Sequence, residues 1–299
     1  MQDRAPERPT RIPFHWKLFD PIDVFGIAAD FLAPLRYPAK LILPAAALAG
    51  MTAYSNWYDM MRHLDRIFLT WSFFQLMCLS ILTVNLFSKL SLALVMSYKG
   101  ADPRDFGVRL MFGVLPGFYV LRGPINRLDA ADRPICCAAP LLAKLTLFSV
   151  GILMWGVLGR SGSGLADVFL ALGSAAFGSF LLLGNPLWRA EGYFWVSAKL
   201  RRPKLREHAF KLIRLLTTFQ KPPAALSAAE AWALAVYAFA SIGFTAFLIF
   251  SVLYGIAYAL EAELRGTGVV LFCVMLGMAA LFWVSLRSVR REAAAARKA

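Results

Sequence analysis

Long apolar runs separated by short polar connections give the chain the pattern of a protein that crosses a membrane several times. A spanning helix needs about 20 mostly apolar residues. Such runs predict about six transmembrane helices, at residues 38–54, 67–87, 136–158, 165–183, 232–260 and 267–286. The first run is short and contains Pro44, whereas the fifth is long enough to tilt in a bilayer. The predicted fold is an all-α polytopic membrane protein.

The composition supports this prediction. Hydrophobic residues make up 59% of the 299 residues and charged residues 17%, against about 45–50% and about 25% in soluble domains. One soluble core of this length cannot bury so much apolar surface. Disorder is excluded as well, because it requires low hydrophobicity.

The basic residues lie beside the apolar runs and predict the orientation of the chain. There are 32 Lys and Arg against 18 Asp and Glu, an excess that in a soluble protein would suggest nucleic acid. Here they concentrate before residue 41, at 97–135, at 184–222 and after 286, and they are few at 55–66, 159–164 and 261–266. By the positive-inside rule, both termini are expected in the cytoplasm. The predicted partner of this charge is anionic lipid and not nucleic acid.

Residues 85–123 form the first of two unusual stretches (NLFSKLSLALVMSYKGADPRDFGVRLMFGVLPGFYVLRG). An apolar helix is expected to continue past its span through Lys89 and to break at Gly100. A semi-apolar segment with Pro116 and Gly117 follows, which makes it a candidate re-entrant segment.

The second stretch covers residues 184–210 (GNPLWRAEGYFWVSAKLRRPKLREHAF). Asn185 and Pro186 are expected to end the fourth span, since the residue before a proline disfavours the α conformation. Glu191 then falls at membrane depth, just before Gly192. Placing an ionisable group at that depth costs free energy, so such a residue indicates a functional site.

Together these stretches resemble the site-2-protease family of intramembrane zinc metalloproteases, in its bacterial peptide-protease branch. That branch has a catalytic helix of the form HELGHALVxRRYGGxVREFGxxLLxxxPGFYV and a later segment NPLLRxDGYYLLSDLLxxPNLRxRA. This chain has ALVMSYKGADPRDFGVRLMFGVLPGFYV and NPLWRAEGYFWVSAKLRRPKLREHA at the corresponding places. The Phe19-Asp20-Pro21 and Leu35-Arg36 regions are similar too, so the resemblance covers about residues 19–216.

The zinc-binding residues of the family are missing from this chain. The resemblance places HELGH on residues 88–92, so that Ser88 and Leu92 replace both histidines and Lys89 replaces the glutamate that activates water. The third metal ligand, an aspartate, corresponds to Glu191. A catalytic zinc site needs three protein ligands and an open water position. We therefore expect no metal, no cofactor and no catalytic residue, only the degenerate positions Ser88, Lys89, Leu92 and Glu191.

The sequence gives little support for another catalytic mechanism at this helix. Ser88 and Ser91 with Lys89 could form a serine–lysine nucleophile pair, but adjacent residues of a helix point about 100° apart. Serines in a spanning helix more often bond to backbone or pack against a neighbouring helix.

The resemblance implies a catalytically inactive protein of the bacterial inner membrane. We expect a scaffold or substrate-binding subunit of an envelope or export complex, with a periplasmic adaptor (membrane-fusion) protein as a partner and a pocket in the cytoplasmic half of the membrane. A transporter or channel subunit and a residual membrane metallopeptidase remain alternatives. The expected parts are a cytoplasmic segment (1–36), a site-2-protease-like membrane core (37–216), a C-terminal pair of transmembrane helices (217–286) and a basic cytoplasmic tail (287–299).

Two structural predictions follow from these positions. Lys89 and Glu191 are expected to form an ion pair in the vacated metal site, because a carboxylate without its cation would be left unpaired at membrane depth. The alternative is that Lys89 reaches the cytoplasmic surface while Glu191 pairs with Arg189 or with water. Residues 199–214 are expected to form a basic amphipathic helix on the inner leaflet, with a plain loop as the alternative.

Overall fold

The computed structural model describes residues 15–21, 23–25, 38–68, 71–111, 115–121, 123–159, 164–201, 205–217 and 228–264. The chain divides into two compact units, Met1–Lys221 and Pro222–Ala299. In the first unit the helices are α1 (Ile42–Ser55), α2 (Trp57–Phe68), α3 (Trp71–Tyr98), α4 (Arg133–Leu158), α5 (Leu165–Gly184), α6 (Glu191–Lys199) and α7 (Leu205–Thr217). Short 3-10 helices lie at Pro38–Leu41 and Gly123–Arg127. In the second unit α8 spans Ala228–Leu264.

Four of these helices are long and apolar enough to cross a membrane, over Gln75–Tyr98, Arg133–Leu158, Leu165–Gly184 and Glu230–Ser251. They overlap the second to fifth predicted spans, the second of which was predicted at 67–87, and they support a predominantly helical membrane protein. The first predicted span is the 14-residue helix α1, which at 1.5 Å per residue is about 21 Å long and shorter than a hydrocarbon core of about 30 Å. The sixth predicted span, 267–286, lies outside the described residues.

The connection predicted at 55–66 is a helix and not a loop. In α2, apolar side chains recur at helical spacing, so that Met60 is buried and Met61 and Leu64 pack on the main apolar core. His63 of this helix accepts a hydrogen bond at Nδ1 from the Trp155 indole at 3.3 Å. The sequence prediction failed here because the polar residues of an amphipathic helix were taken for a connection.

The core of the first unit is formed where α3, α4 and α5 pack together. Helix α4 begins at Arg133 with Pro134 in its first turn, where a proline loses no hydrogen bond. Gly151 of α4 faces Gly173 of α5 so closely that a Cβ atom on Gly151 would lie 2.6 Å from the Gly173 backbone. These small residues let the two helices approach each other, as at membrane helix interfaces.

A three-stranded antiparallel sheet departs from the prediction of an entirely helical protein. Strand β1 (His15–Phe19) pairs with β2 (Phe106–Met111), which pairs with β3 (Leu115–Tyr119). The segment predicted as a re-entrant candidate therefore contributes two strands. Pro116 and Gly117 lie in β3, opposite Leu110 and Arg109, and an edge strand tolerates the proline because that residue need not donate to a further strand.

The sheet packs on α3 through aromatic side chains. Phe106 is buried and stacks between Phe19 and Phe118, with ring centroids 4.8 and 5.9 Å away. At the end of β1, Asp20 accepts a hydrogen bond from the backbone N–H of Asp105 at 3.0 Å. Asp105 has a φ of 55°, so this bond holds the chain in an unfavourable conformation just before β2.

Candidate functional site

Helix α3 continues without a break through the positions where the resemblance places the lost zinc motif. It ends at Tyr98, and Gly100 follows with a φ of 75°, which confirms the predicted break. Ser88 and Leu92 lie four residues apart, share one face of the helix, and are each 1% exposed. That buried face points into the protein and not toward lipid.

The turn after α5 delivers Glu191 to the same region. The helix ends at Gly184, and Asn185 has an extended ψ of 122° ahead of Pro186, as predicted for a residue before proline. The Asn185 side chain accepts a hydrogen bond from the Leu187 backbone at 2.9 Å. Helix α6 then begins at Glu191, where a carboxylate is favoured by the helix dipole.

Gly192 is required by the close approach of α6 to the end of α5. A Cβ atom at this position would overlap the carbonyl oxygen of Gly184. Since the glycine brings the start of α6 against the preceding helix, it also fixes where the Glu191 side chain can reach.

The predicted ion pair between Lys89 and Glu191 is present. Lys89 Nζ lies 2.8 Å from Glu191 Oε1, within the distance at which an opposite charge matters. Of the two arrangements considered, the structure therefore has the direct pair, with the Lys89 ammonium turned to the carboxylate. The Glu191 side chain is 4% exposed and that of Lys89 18% exposed.

A second lysine completes the cluster. Lys144, in the middle of α4, pairs with Glu191 Oε2, and its side chain is 2% exposed. Its ammonium group also donates to Ser88 Oγ at 3.0 Å. The Ser88 hydroxyl faces the carbonyl oxygen of Pro140 at 3.3 Å, to which it can donate. We call Ser88, Lys89, Lys144 and Glu191 the buried ion cluster.

The buried ion cluster joins three helices that are distant in the sequence. Lys89 and Ser88 come from α3, Lys144 from α4 and Glu191 from α6. Ser91 adds a neighbouring contact, donating to the carbonyl oxygens of Ser88 and of Ala139 in α4. This confirms the interpretation of the serines as backbone-bonding residues at a helix contact.

The electrostatics of the cluster depend on all three charges being present. Two ammonium groups and one carboxylate lie in a region shielded from water, where the loss of one partner of an ion pair costs about 3–5 kcal/mol. Each oxygen of the carboxylate accepts from a different lysine. The cluster therefore fixes the relative positions of the three helices.

The donor set of the cluster does not suit zinc. Zinc binds thiolate, imidazole and carboxylate ligands, whereas this region offers one carboxylate, whose oxygens are engaged by ammonium groups, a hydroxyl and the apolar Leu92. Among the described residues there is no group of three or more His, Cys, Asp or Glu that could hold a metal ion.

Sequence reasoning brought most of these residues together but missed Lys144. The structure unites Ser88, Lys89 and Glu191. It places Asn185 and Pro186 in the turn before the glutamate and Gly192 directly after it, in α6. Pro116 and Gly117 are not part of this group of residues and lie in strand β3. The missed signal was a lysine in the middle of an apolar run. Because burying a charge there costs free energy, such a lysine is already a functional candidate.

Comparisons with protein-family models, with curated proteins and with solved structures gave no match for this chain.

Proposed function

We propose that the protein is a catalytically inactive relative of the site-2 proteases in a bacterial inner membrane. It acts as a scaffold or substrate-binding subunit of an envelope or export complex. One observation carries this proposal: Glu191 lies between Lys89 and Lys144, at positions where the resemblance expects a zinc ion and its ligands. Ammonium groups thus supply the positive charge that zinc supplies in an active enzyme.

The cluster suits a structural role better than catalysis. A general base that activates water needs a carboxylate with access to that water, whereas Glu191 is almost fully buried and both of its oxygens accept from lysines. Lys89 stands where the active enzymes have their glutamate, so the charge there is reversed. The remaining property of the site is to hold α3, α4 and α6 together.

The partners we propose are anionic lipid along the basic segments and a periplasmic adaptor protein. The arrangement of basic connections supports termini in the cytoplasm. One part of the lipid prediction is corrected, because the helix predicted at 199–214 begins at Leu205 and buries Leu205 and Leu212 within the protein. Those side chains are not available to insert into the leaflet, although Lys211 and Arg214 remain exposed.

Metal analysis and peptide cleavage test the proposal. The protein, purified gently in detergent, is expected to contain well under one zinc ion per chain and to leave a panel of transmembrane peptides intact. One zinc ion per chain together with cleavage that a chelator abolishes would establish the residual metallopeptidase and contradict the proposal.

A transporter or channel subunit is the second candidate, and the buried ion cluster is the observation that favours it. Ionisable side chains inside spanning helices commonly mark ion pathways. Flux of protons or ions into liposomes that contain the protein, abolished in a Lys144→Met variant, would support this function over the scaffold.

A further inference from the structure

A second polar site lies where the turn after α5 meets α6 and α7. It is a cavity of about 240 Å³, lined by Arg189 of the turn, Tyr193 of α6, and Arg206, Glu207 and Phe210 of α7. None of these residues belongs to the buried ion cluster. The cavity is thus lined by two arginines and one glutamate from segments that are separate in the sequence.

The wall of this cavity is held in place by contacts within the protein. The guanidinium of Arg206 lies over the Phe210 ring, 5.2 Å from its centroid. The backbone N–H of Arg206 donates to the hydroxyl of the buried Tyr193 at 3.4 Å. Because these contacts position Arg206 beforehand, less entropy of ordering is lost when a ligand binds to it.

The charges of the cavity select a particular kind of ligand. A guanidinium presents N–H donors in a fork that matches phosphate oxygens, so two arginines favour a phosphate group. The Glu207 carboxylate opposes a purely anionic ligand, but it attracts an ammonium group. A zwitterion that carries both a phosphate and an ammonium group is complementary in charge to all three side chains.

The position of the cavity favours a membrane lipid as the source of such a zwitterion. Arg189 lies in the turn that follows the candidate span Leu165–Gly184. The neighbouring Trp188 is 41% exposed, and Lys199 lies 5.3 Å from the centroid of the Trp195 ring. Tryptophan is enriched at the level of lipid headgroups, and basic pockets at this level bind headgroups.

We propose that this cavity binds the headgroup of a phosphatidylethanolamine. Its phosphate contacts Arg189 and Arg206, and its ammonium group contacts Glu207. The site is independent of the inactive-protease proposal, because it uses none of the residues that the proposal depends on. It assigns one lipid to one cavity, in contrast to a general attraction of anionic lipid to a basic surface.

Lipid binding to the purified full-length chain tests this site. Native mass spectrometry in mild detergent is used to compare phosphatidylethanolamine, phosphatidylglycerol and inorganic phosphate. The wild type is expected to bind phosphatidylethanolamine about tenfold more tightly than phosphatidylglycerol, the scale of one charge-assisted hydrogen bond. Glu207→Gln should abolish this preference, whereas Arg206→Gln should weaken the binding of both lipids by about tenfold.

Two further variants make the result interpretable. Lys211→Gln removes an exposed charge of the same helix that does not line the cavity, and it should leave both affinities within about twofold. Arg189→Gln repeats the arginine test from another segment in case Arg206→Gln fails to fold. Equal binding of the two lipids by the wild type, or equal losses in Lys211→Gln and Arg206→Gln, would overturn the proposal. Binding of inorganic phosphate as tight as that of the lipid would overturn the assignment to a lipid.

Discussion

Replacing Lys144 with methionine probes the buried ion cluster most sharply. Methionine keeps an unbranched apolar stem and removes the ammonium group that contacts Glu191 Oε2 and Ser88 Oγ. Breaking a buried ion pair costs about 3–5 kcal/mol. Because Lys89 still neutralises the carboxylate, we expect the lower end, a loss of about 3 kcal/mol in the free energy of unfolding.

The other charges of the cluster should show a graded response. The side chain of Lys89 is 18% exposed, between a surface and a buried site, so Lys89→Met should cost about 2 kcal/mol. Glu191→Gln leaves two ammonium groups without their carboxylate and should cost the most. The triple variant Lys89→Met/Lys144→Met/Glu191→Gln should cost less than Lys144→Met alone, because removing a whole buried ion network is often nearly neutral.

Equilibrium unfolding in mixed micelles, followed by circular dichroism, measures these losses. Lys99→Met is the matched control, because its ammonium lies 2.7 Å from Asp132 with both side chains about a quarter exposed. Such a pair is worth about 0–1 kcal/mol. A Lys144→Met loss no larger than that of the control would refute the reasoning. So would a triple variant whose loss equals the sum of the three single losses.

Three further predictions concern the start of α6, the sheet and the membrane orientation. Gly192→Ala should lower the free energy of unfolding by about 1–3 kcal/mol, because its Cβ would overlap the last carbonyl of α5. Gly178→Ala is the control and should not lower it, since a Cβ there meets nothing within 4 Å. Thermal unfolding compares the two variants. The hydrogen bond from Lys17 lowers the pKa of Asp20 below its usual 3.8. The contribution of this contact to the hydrogen-exchange protection of the β1 amides should therefore be fully present above pH 3.8 and be lost as the pH falls through the lower folded value. Arg160→Cys should react with a membrane-impermeant thiol reagent from the periplasm, and labelling from the cytoplasm would contradict the orientation.

The sequence alone was sufficient for the long apolar helices and for the ion pair. Four of the six predicted spans have a counterpart in the structure, because a run of about 20 apolar residues has few alternatives. The pair between Lys89 and Glu191 was predicted because a buried charge requires a partner, and the resemblance indicated which two segments converge. Periodicity alone could not have brought Glu191 to Lys89, because it carries no information on contacts between distant segments.

The sheet and helix α2 were missed for local reasons. Strand β1 lies in a polar terminal segment, and it forms a strand because β2 supplies its hydrogen bonds across many residues of intervening chain. Pairing of that kind is set by tertiary context more than by propensity. The α2 sequence WYDMMRHLDRIF carries charges at helical spacing, so its apolar face was not recognised.

Lys144 was missed because hydropathy averages over a window. One lysine hardly lowers the mean of a 26-residue span, yet it costs several kcal/mol to bury unless it is paired. A search for charges inside apolar runs would have found Lys144 beside Lys89 and Glu191 as a candidate. The choice of which charges meet still depends on the turn at Asn185 and Pro186.

Restoration of the zinc motif tests the central claim most directly, namely that the buried ion cluster occupies the place of a metal site. A variant with Ser88→His, Lys89→Glu, Leu92→His, Glu191→Asp and Lys144→Met is compared with the wild type for zinc per chain after equilibration and removal of free metal. The account predicts about one zinc ion per chain in a folded variant and almost none in the wild type. A folded variant that takes up no zinc, or a wild type that already holds one ion, would contradict it.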